Sequence, residues 1–187
     1  MGILDTGEPF PEVESLSTNK VESEYSIAKR KMELSVNQAT KTGKILGLNP
    51  RLFAFAGPLL PLDRGFAIGN FLSDARKNQA VQVKGNPKTL RSYLSPIDMS
   101  VQILKCAAIT PDGTLHIGSD HSLTIAELAE YISATFGTGD VNYVNSPSPP
   151  TSYFPENKKT WQKLQITQEL SLSQVLEDWN NWLKAVD

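Results

Sequence analysis

The sequence has few cysteines and no long apolar run, and both absences limit what the protein can be. Its single cysteine, Cys106, cannot form an internal disulfide, so the fold does not require an oxidising compartment. Cys106 lies in an apolar run typical of a helix, so we expect a buried, unreactive thiol. No stretch of about 18 apolar residues is present, which argues against a membrane span, and the acidic N-terminus lacks the apolar core of a secretory signal. We therefore expect a cytoplasmic protein with no membrane partner.

The sequence also has no excess of positive charge. Lys and Arg number 18 and Asp and Glu number 20, for a net charge of −2, so global electrostatics give no reason to expect nucleic acid as a partner. Neither histidine, His116 or His121, has cysteine or acidic residues nearby at a ligand spacing, so we predict no metal site. The hydrophobic content of 40% is enough for a core.

Helical and strand patterns alternate along the chain, which indicates an α/β fold. Residues 1–22 are rich in Pro, Glu, Ser and Thr and are predicted to form an extended arm, with the folded part over 23–187. The predicted helices cover 23–42, 66–77, 97–109, 125–136, 158–164 and 172–186. The predicted strands cover 51–56, 81–83 and 114–117. These strands are too few for so many helices, so we interpret the chain as part of a larger sheet protein.

Tyr25 and Lys29 are four residues apart on the first predicted helix and therefore share a face. A tyrosine with the ordinary pKa of about 10 is a poor base at neutral pH, and a neighbouring cation favours its phenolate form. Such a pair could take a proton from a sugar hydroxyl while hydride leaves the adjacent carbon. The spacing also arises readily by chance, so an ordinary surface pair stays open as an alternative.

Several short motifs follow the Tyr-Lys pair in a definite order. They are Arg-Leu-Phe-Ala-Phe-Ala-Gly-Pro (51–58), Phe-Ala-Ile-Gly-Asn-Phe (66–71), Val-Gln-Val-Lys-Gly (81–85), Arg-Ser-Tyr-Leu (91–94) with Asp98, His-Ile-Gly-Ser (116–119) leading to Leu-Thr-Ile-Ala-Glu-Leu (123–128), and Tyr-Phe-Pro-Glu (153–156). In this order the chain resembles the C-terminal half of the NAD-dependent epimerase/dehydratase family. These proteins are extended short-chain dehydrogenases that act on nucleotide-sugars.

The resemblance implies a fold, a cofactor and a set of site residues. The fold would be the C-terminal part of a Rossmann-like parallel sheet plus a small mixed α/β substrate-binding domain. Tyr25 would be the active-site base or acid, and Lys29 would lower its pKa and hold the nicotinamide ribose of NAD. Phe53 would lie against the nicotinamide.

The resemblance also implies contacts to an NDP-sugar. Asn70 would face the nucleotide-sugar, and Val83 would lie near its base and ribose. Arg91 would contact the pyrophosphate, for which a planar guanidinium is well suited. Two ordinary alternatives remain, a surface salt bridge for Arg91 and a helix cap for Asn70.

The chain departs from the family pattern in three places. Ala54 stands where many members have Asn after the residue that corresponds to Phe53. No Gly-x-x-Gly-x-x-Gly occurs, although that motif cradles the dinucleotide pyrophosphate. The catalytic Ser or Thr of the family has no convincing counterpart, because Ser15, Ser17 and Thr18 lie in the polar arm.

We therefore expect a truncated or split NAD-dependent nucleotide-sugar epimerase or dehydratase that lacks the glycine-rich half. Its partner would be a separate N-terminal half, or a second copy bound through helix 23–42. The alternative is a non-catalytic nucleotide-sugar-binding remnant. Epimerisation, dehydration and decarboxylation all remain open.

Overall fold

The computed structural model describes residues 24–109, 113–157, 161–162, 164–166 and 170–186. The predicted arm (1–22) lies outside the described residues, and so does part of the helix predicted at 158–164.

The described helices fall close to the predicted ones. They are α1 (Glu24–Lys41), α2 (Ala67–Arg76), α3 (Pro96–Ile109), α4 (Ile125–Phe136) and α5 (Leu172–Val186). The start of α4 shows why its bounds were predictable: the Thr124 hydroxyl accepts the Glu127 N–H, and the Glu127 carboxylate accepts the Thr124 N–H. The Thr124 hydroxyl also donates to the Glu127 carboxylate, and the two bonds that this carboxylate accepts from Thr124 lower the pKa of Glu127. Cys106 is buried in α3, as expected.

The strands form three small sheets, and most of the pairs are parallel. The strands are β1 (Leu48–Leu52), β2 (Val81–Val83), β3 (Leu90–Ser92), β4 (Gly113–Ile117), β5 (Ser122–Thr124), β6 (Val141–Tyr143) and β7 (Ser152–Tyr153). Strand β1 pairs with β4, and β2 pairs with β6, both in parallel. Strand β3 pairs in parallel with β7 and antiparallel with β5. This combination of parallel pairs, covering helices and one antiparallel pair is the expected mixed α/β architecture.

Strand β1 of the first sheet lies earlier in the chain than the strand predicted at 51–56. Strand β1 begins at Leu48 and includes Pro50, a residue that sequence reasoning excludes from central strands. In the described part of the chain β1 pairs with β4 alone, and an edge strand tolerates proline. After Phe53 the backbone leaves β4 and pairs with the segment at Leu94: the Ala56 N–H donates to the Leu94 carbonyl, and the Leu94 N–H donates to the Ala54 carbonyl.

Two clusters of buried side chains form the core. The larger cluster lies between α2, α4, α5 and β2, and Trp179 is its largest fully buried side chain. The smaller cluster lies where α3 covers β1 and β4, and it contains Leu94, Cys106, Ile117 and Leu164. A site can form between the part of the molecule that the larger cluster holds together and the part that the smaller cluster holds together.

Helix α1 is attached to β1 by polar contacts. Arg51 donates two hydrogen bonds of 2.8 Å to the Glu33 carboxylate, and this pairing lowers the pKa of Glu33. Gly47 approaches α1 so closely that a Cβ atom there would lie 2.5 Å from the Thr40 hydroxyl. On α1, Met32 and Leu34 remain 61% and 59% exposed. Helix α1 therefore carries an apolar surface that nothing in the described residues covers.

Candidate nucleotide-sugar site

A groove of about 930 Å³ lies between the carboxyl end of β1, the first turns of α2, and strands β3 and β7. We call it the central groove. Its lining includes Tyr25, Leu52, Phe53, Ala54, Phe66, Asn70, Gln82, Lys84, Arg91, Thr151 and Tyr153. Four of the six residues predicted from the sequence to form a site line it, namely Tyr25, Phe53, Asn70 and Arg91.

Tyr25 and Lys29 lie at one end of the central groove, on the first turns of α1. The Lys29 ammonium is 5.6 Å from the centre of the Tyr25 ring, so the predicted shared face is confirmed. The Tyr25 side chain lines the groove and is 69% exposed. A phenol next to a cation and facing a groove has the geometry needed to exchange a proton with a bound ligand.

Phe53 forms an aromatic wall where β1 ends. Its backbone N–H donates to the Ile117 carbonyl at 2.9 Å, which extends the β1–β4 pairing by one residue. Its ring centre lies 5.2 Å from the ring of His116 and 4.9 Å from that of Tyr153. Gly118 is needed beside it, since a Cβ atom on Gly118 would be 2.9 Å from the Phe53 Cβ. The side chain is 4% exposed, so it presents an edge to the groove rather than a free surface.

Arg91 lies at the other end of the groove, on β3, and is held in place by the strand beside it. Its guanidinium donates to the Leu90 carbonyl at 2.7 Å, the Thr151 carbonyl at 3.3 Å and the Thr151 hydroxyl at 3.1 Å. Burial lowers the pKa of Arg91, and the nearby Tyr93 and Tyr153 oppose that shift. An arginine remains charged at neutral pH even so.

The ordinary alternative for Arg91 was a surface salt bridge. Among the residues that the structure describes, no carboxylate pairs with this guanidinium, and its hydrogen bonds go to neutral oxygens. The three bonds use only part of a group that has five N–H donors. A half-buried cation without an anionic partner among the described residues is suited to bind an anionic ligand.

Asn70 lies on the groove side of α2. It is the fourth residue of α2, whose N-cap is Phe66, so Asn70 is not the helix cap that the sequence analysis left open as an alternative. Its half-buried side chain lines the groove and makes no hydrogen bond with a described residue. It therefore offers one amide donor and one acceptor to a ligand.

Val83 does not reach the groove. Its side chain is fully buried in the core, and the neighbouring residues Gln82 and Lys84 line the groove instead. The sequence analysis placed the correct strand near the groove, but in a strand successive side chains point to opposite faces.

Among the groove residues that sequence reasoning missed are Gln82, Lys84, Thr151 and Tyr153. Thr151 follows the Pro/Ser loop at 145–150, where no periodicity signals a strand, and β7 is only two residues long. Tyr153 was noticed as part of a motif but was given no role. Its pairing with Arg91 in the β3–β7 register places it in the groove, and a long-range pairing of this kind leaves no local signal.

A second cavity of about 550 Å³ lies between the C-terminal ends of α2 and α4 and the helix α5. Arg76, Glu177, Asn180 and Lys184 are among its lining residues, and Arg76 donates to the Asn180 side chain at 2.9 Å. It contains none of the residues that the sequence singled out, and its Arg76 is already bonded to Asn180.

Among the described residues no group of three or more His, Cys, Asp or Glu side chains is placed to hold a metal ion. None of the described helices is long and apolar enough to cross a membrane.

No family model matches the sequence. Among curated proteins, UDP-glucuronic acid decarboxylase 3 of Arabidopsis thaliana is 26% identical over 111 residues, which cover 58% of this chain and 32% of that protein. UDP-glucuronic acid decarboxylase 5 of the same plant matches over the same length, at the same identity. The match thus spans about a third of these relatives.

The fold matches solved structures over nearly its whole length. A dTDP-glucose 4,6-dehydratase from Bacillus anthracis in complex with NAD has a TM-score of 0.82 and 19% identity, covering 98% of this chain and 58% of that one. A UDP-N-acetylglucosamine 4-epimerase from Methanobrevibacter ruminantium M1 has a TM-score of 0.78 and 17% identity, covering 91% and 59%.

The fold is thus that of the Rossmann-like α/β class. Within that class, the resemblance stated from the sequence is confirmed: this chain is related to the NAD-dependent epimerase/dehydratases. It spans a little more than half the length of the solved relatives.

Proposed function

We propose that this chain is the nucleotide-sugar-binding half of an NAD-dependent NDP-sugar epimerase or dehydratase, working with a glycine-rich half supplied by polypeptide outside these 187 residues. The central groove is the observation that carries the proposal. It brings Tyr25 and Arg91, which are far apart in sequence, to the lining of one space large enough for a nucleotide-sugar. The curated relatives, whose names specify a UDP-sugar, support the same class of substrate.

In this proposal Arg91 and Asn70 anchor the substrate. The guanidinium, already oriented by Thr151, binds the pyrophosphate with charge-assisted hydrogen bonds. The Asn70 amide bonds an adjacent oxygen, and Gln82 and Lys84, on either side of Val83, lie beside the base and ribose. Binding the pyrophosphate at this end directs the sugar towards the Tyr25 end.

The chemistry belongs to Tyr25 and Lys29. Tyr25 accepts the proton of a sugar hydroxyl, and the Lys29 ammonium lies next to its ring. Bound NAD would supply the hydride acceptor. The residues present fit the nicotinamide end of that cofactor, because Phe53 gives it an aromatic wall and Lys29 a cation for its ribose hydroxyls. Ala54, which has no polar side chain, adds no hydrogen bond here.

The partner would cover α1 and extend the β1–β4 sheet. Met32 and Leu34 are exposed apolar side chains on α1, and β1 pairs with β4 alone among the described residues. A strand-and-helix half, or a second copy of α1, would bury these groups. We place the assembly in the cytoplasm, where a buried lone thiol such as Cys106 needs no oxidant.

A non-catalytic nucleotide-sugar binder is the second candidate. The observation that favours it is the contrast between the two ends of the groove: Arg91 is half-buried and held by three hydrogen bonds, whereas Tyr25 is 69% exposed. Such a protein would keep the affinity of the Arg91 end and have no use for Tyr25.

Titration calorimetry of the 187-residue chain with UDP-glucuronic acid tests the binding that both candidates share. Arg91→Ala removes the charge-assisted bonds to the pyrophosphate, each worth about 1.5–3 kcal/mol, so we expect affinity to fall roughly ten- to a hundredfold. Arg91→Lys should recover only part of the loss, since an ammonium cannot engage two oxygens in a planar fork.

The matched control is Arg76→Ala, which removes a half-buried arginine that lines the second cavity. It should leave the affinity for UDP-glucuronic acid unchanged. Equal affinity of wild type and Arg91→Ala would contradict the proposed site.

A further inference from the structure

Helix α3 is buried on the side that faces the sheet and apolar on the side that faces solvent. The buried side carries Asp98, Gln102 and Cys106, none of which is more than 3% exposed. On the opposite side Ile97 is 62% exposed and Leu104 is 67% exposed. A helix that is apolar all round is typical of one that is covered on both sides, so the solvent-facing side of α3 is a candidate interaction surface.

The exposed side of α3 forms a continuous apolar row. Residues spaced by four, three and four share one side of an α-helix. In α3 this spacing gives a row that we call the outer row, made of Ile97, Val101, Leu104 and Ala108. The two charged residues of the helix lie elsewhere: Asp98 is buried, and the Lys105 ammonium donates to the Gln165 carbonyl at 3.0 Å. The outer row therefore carries no charge.

Extending the β1–β4 sheet would not cover the outer row. In β1, the Asn49 side chain donates to Asn37 of α1 at 2.8 Å, whereas Leu48 packs in the smaller core cluster with α3. Successive strand residues point to opposite faces, so α1 and α3 lie on opposite faces of this sheet. A helix added over a new strand beside β1 would lie next to α3 in the same layer, and the outer row points away from the sheet. What covers the row therefore belongs to a further layer.

The outer row is complementary to itself under a two-fold axis. Its spacing reads four, three, four in both directions, so two antiparallel α3 helices can align their rows residue by residue. Ile97 then faces Ala108 of the second copy, and Val101 faces Leu104 of the second copy. A large side chain opposite a small one fills an interface well. Charged residues, which would select a different partner, are absent from the row.

We propose that two copies of this chain associate through α3, as an antiparallel pair about a two-fold axis between Val101 and Leu104. Such an isologous contact uses the same surface of both copies. None of the outer-row residues lines the central groove, and α1 lies on the other face of the sheet, so the association leaves both accessible. The inference is therefore independent of the proposed function.

Sedimentation equilibrium of the 187-residue chain measures the association. At about 100 μM we expect a mass of twice 20.6 kDa. Leu104→Glu places a carboxylate against apolar side chains in the interface, so we expect the dissociation constant to rise more than about tenfold. The matched control is Met32→Glu, the same change at a similarly exposed position on α1, which should leave the constant unchanged. Both variants change exposed residues and should keep the circular dichroism of wild type.

Disulfide trapping tests the antiparallel register without the Glu variants. In the proposed pair Ile97→Cys of one copy faces Ala108→Cys of the other, whereas two copies of the same cysteine lie 11 residues apart along the axis, about 16 Å. A disulfide joins Cα atoms no more than about 7 Å apart. Under mild oxidation we expect an equimolar mixture of the two variants to form a cross-linked dimer and each variant alone to form none. Cys106 is buried, so wild type is the blank.

The outcomes decide between this surface and others. Weaker association of Leu104→Glu but not of Met32→Glu, with cross-linking confined to the mixture, supports the proposal. A wild-type chain that is monomeric at every concentration would overturn it, and so would an association that only Met32→Glu weakens. Cross-linking of each variant alone but not of the mixture would overturn the antiparallel pair.

Discussion

At the scale of single residues, the two ends of the central groove are prepared to different degrees. Arg91 is oriented by its hydrogen bonds to Thr151 before any ligand arrives, so little side-chain entropy is left to lose on binding. Tyr25 is constrained in the described residues by the first turns of α1 and the ammonium of Lys29. The binding end of the site is thus built by this chain alone, and the chemical end needs further contacts.

The role of Tyr25 is testable once a glycine-rich half is supplied. In such a reconstituted mixture Tyr25→Phe deletes the proton acceptor, and we expect hydride transfer to NAD to slow by about 10²–10⁴-fold. Nucleotide-sugar affinity should hardly change, because its anchors lie at the Arg91 end. The measurement is the transient absorbance of NADH in a single turnover with UDP-glucuronic acid, because a redox-neutral reaction later returns the hydride, and Tyr143→Phe is the control.

Lys29→Ala should be at least as damaging as Tyr25→Phe, because it removes both the cation beside the Tyr25 ring and a cofactor contact. An active mixture in which Tyr25→Phe matches wild type would reduce Tyr25 to a surface residue. Absence of activity with every partner half tried would favour the non-catalytic binder.

At the scale of secondary-structure elements, the attachment of α1 to β1 decides where Tyr25 points. The Glu33–Arg51 pair is the strongest polar link between them, with two hydrogen bonds of 2.8 Å and side-chain exposures of 24% and 9%. The apolar side chains Met32 and Leu34 on the same helix are exposed, so they add little to the attachment of α1 to β1 in this chain. The helix that carries the proposed catalytic pair therefore depends on an ion pair.

This dependence predicts a pH-dependent stability. The pKa of Glu33 is lowered in the folded state, so its contribution is fully present above the unfolded pKa and is lost as pH falls through the folded value. Glu33→Gln should lower the free energy of unfolding by about 1–2 kcal/mol at pH 7, and the difference from wild type should shrink below about pH 4.

Urea unfolding of both proteins at several pH values measures this. Glu177→Gln is the control, because that carboxylate is exposed and forms no ion pair with a described residue. A Glu33→Gln difference that stays constant between pH 7 and pH 3 would show that the lost stability does not come from the charge of Glu33.

Helix α4 and strand β7 mark the limits of what local sequence could predict. The α4 bounds followed from the Thr124–Glu127 capping box and a regular apolar face, both of which are local signals. Strand β7 has two residues, and what holds it is pairing with Leu90 and Arg91, some 60 residues away in the chain. The same lack of a local signal hides Tyr153 as a site residue. The sequence analysis named Val83 rather than Gln82 and Lys84, because the sequence does not show which face of a short buried strand points to the groove.

At the scale of the whole molecule, the family resemblance predicted more of the candidate site than the individual residues did on their own. Ordered motifs located Tyr25, Phe53, Asn70 and Arg91, and the fold brings all four to one groove. Spacing alone could not have joined Tyr25 to Arg91, since different elements far apart in the chain carry them. What the chain presents as a unit is a groove with a fixed cation at one end and a phenol at the other, beside an uncovered face of α1.

The most direct test of this central claim is a ¹⁵N NMR titration of the 187-residue chain with UDP-glucuronic acid. It follows the Nε–Hε signal of Arg91 and the side-chain amide of Asn70, with Arg76 and Asn180 in the second cavity as internal controls. We expect the Arg91 and Asn70 signals to shift and saturate together while those of Arg76 and Asn180 stay in place. Saturable shifts at Arg76 and Asn180 with none at Arg91 and Asn70, or no shift anywhere, would contradict the assignment of the central groove as the nucleotide-sugar site.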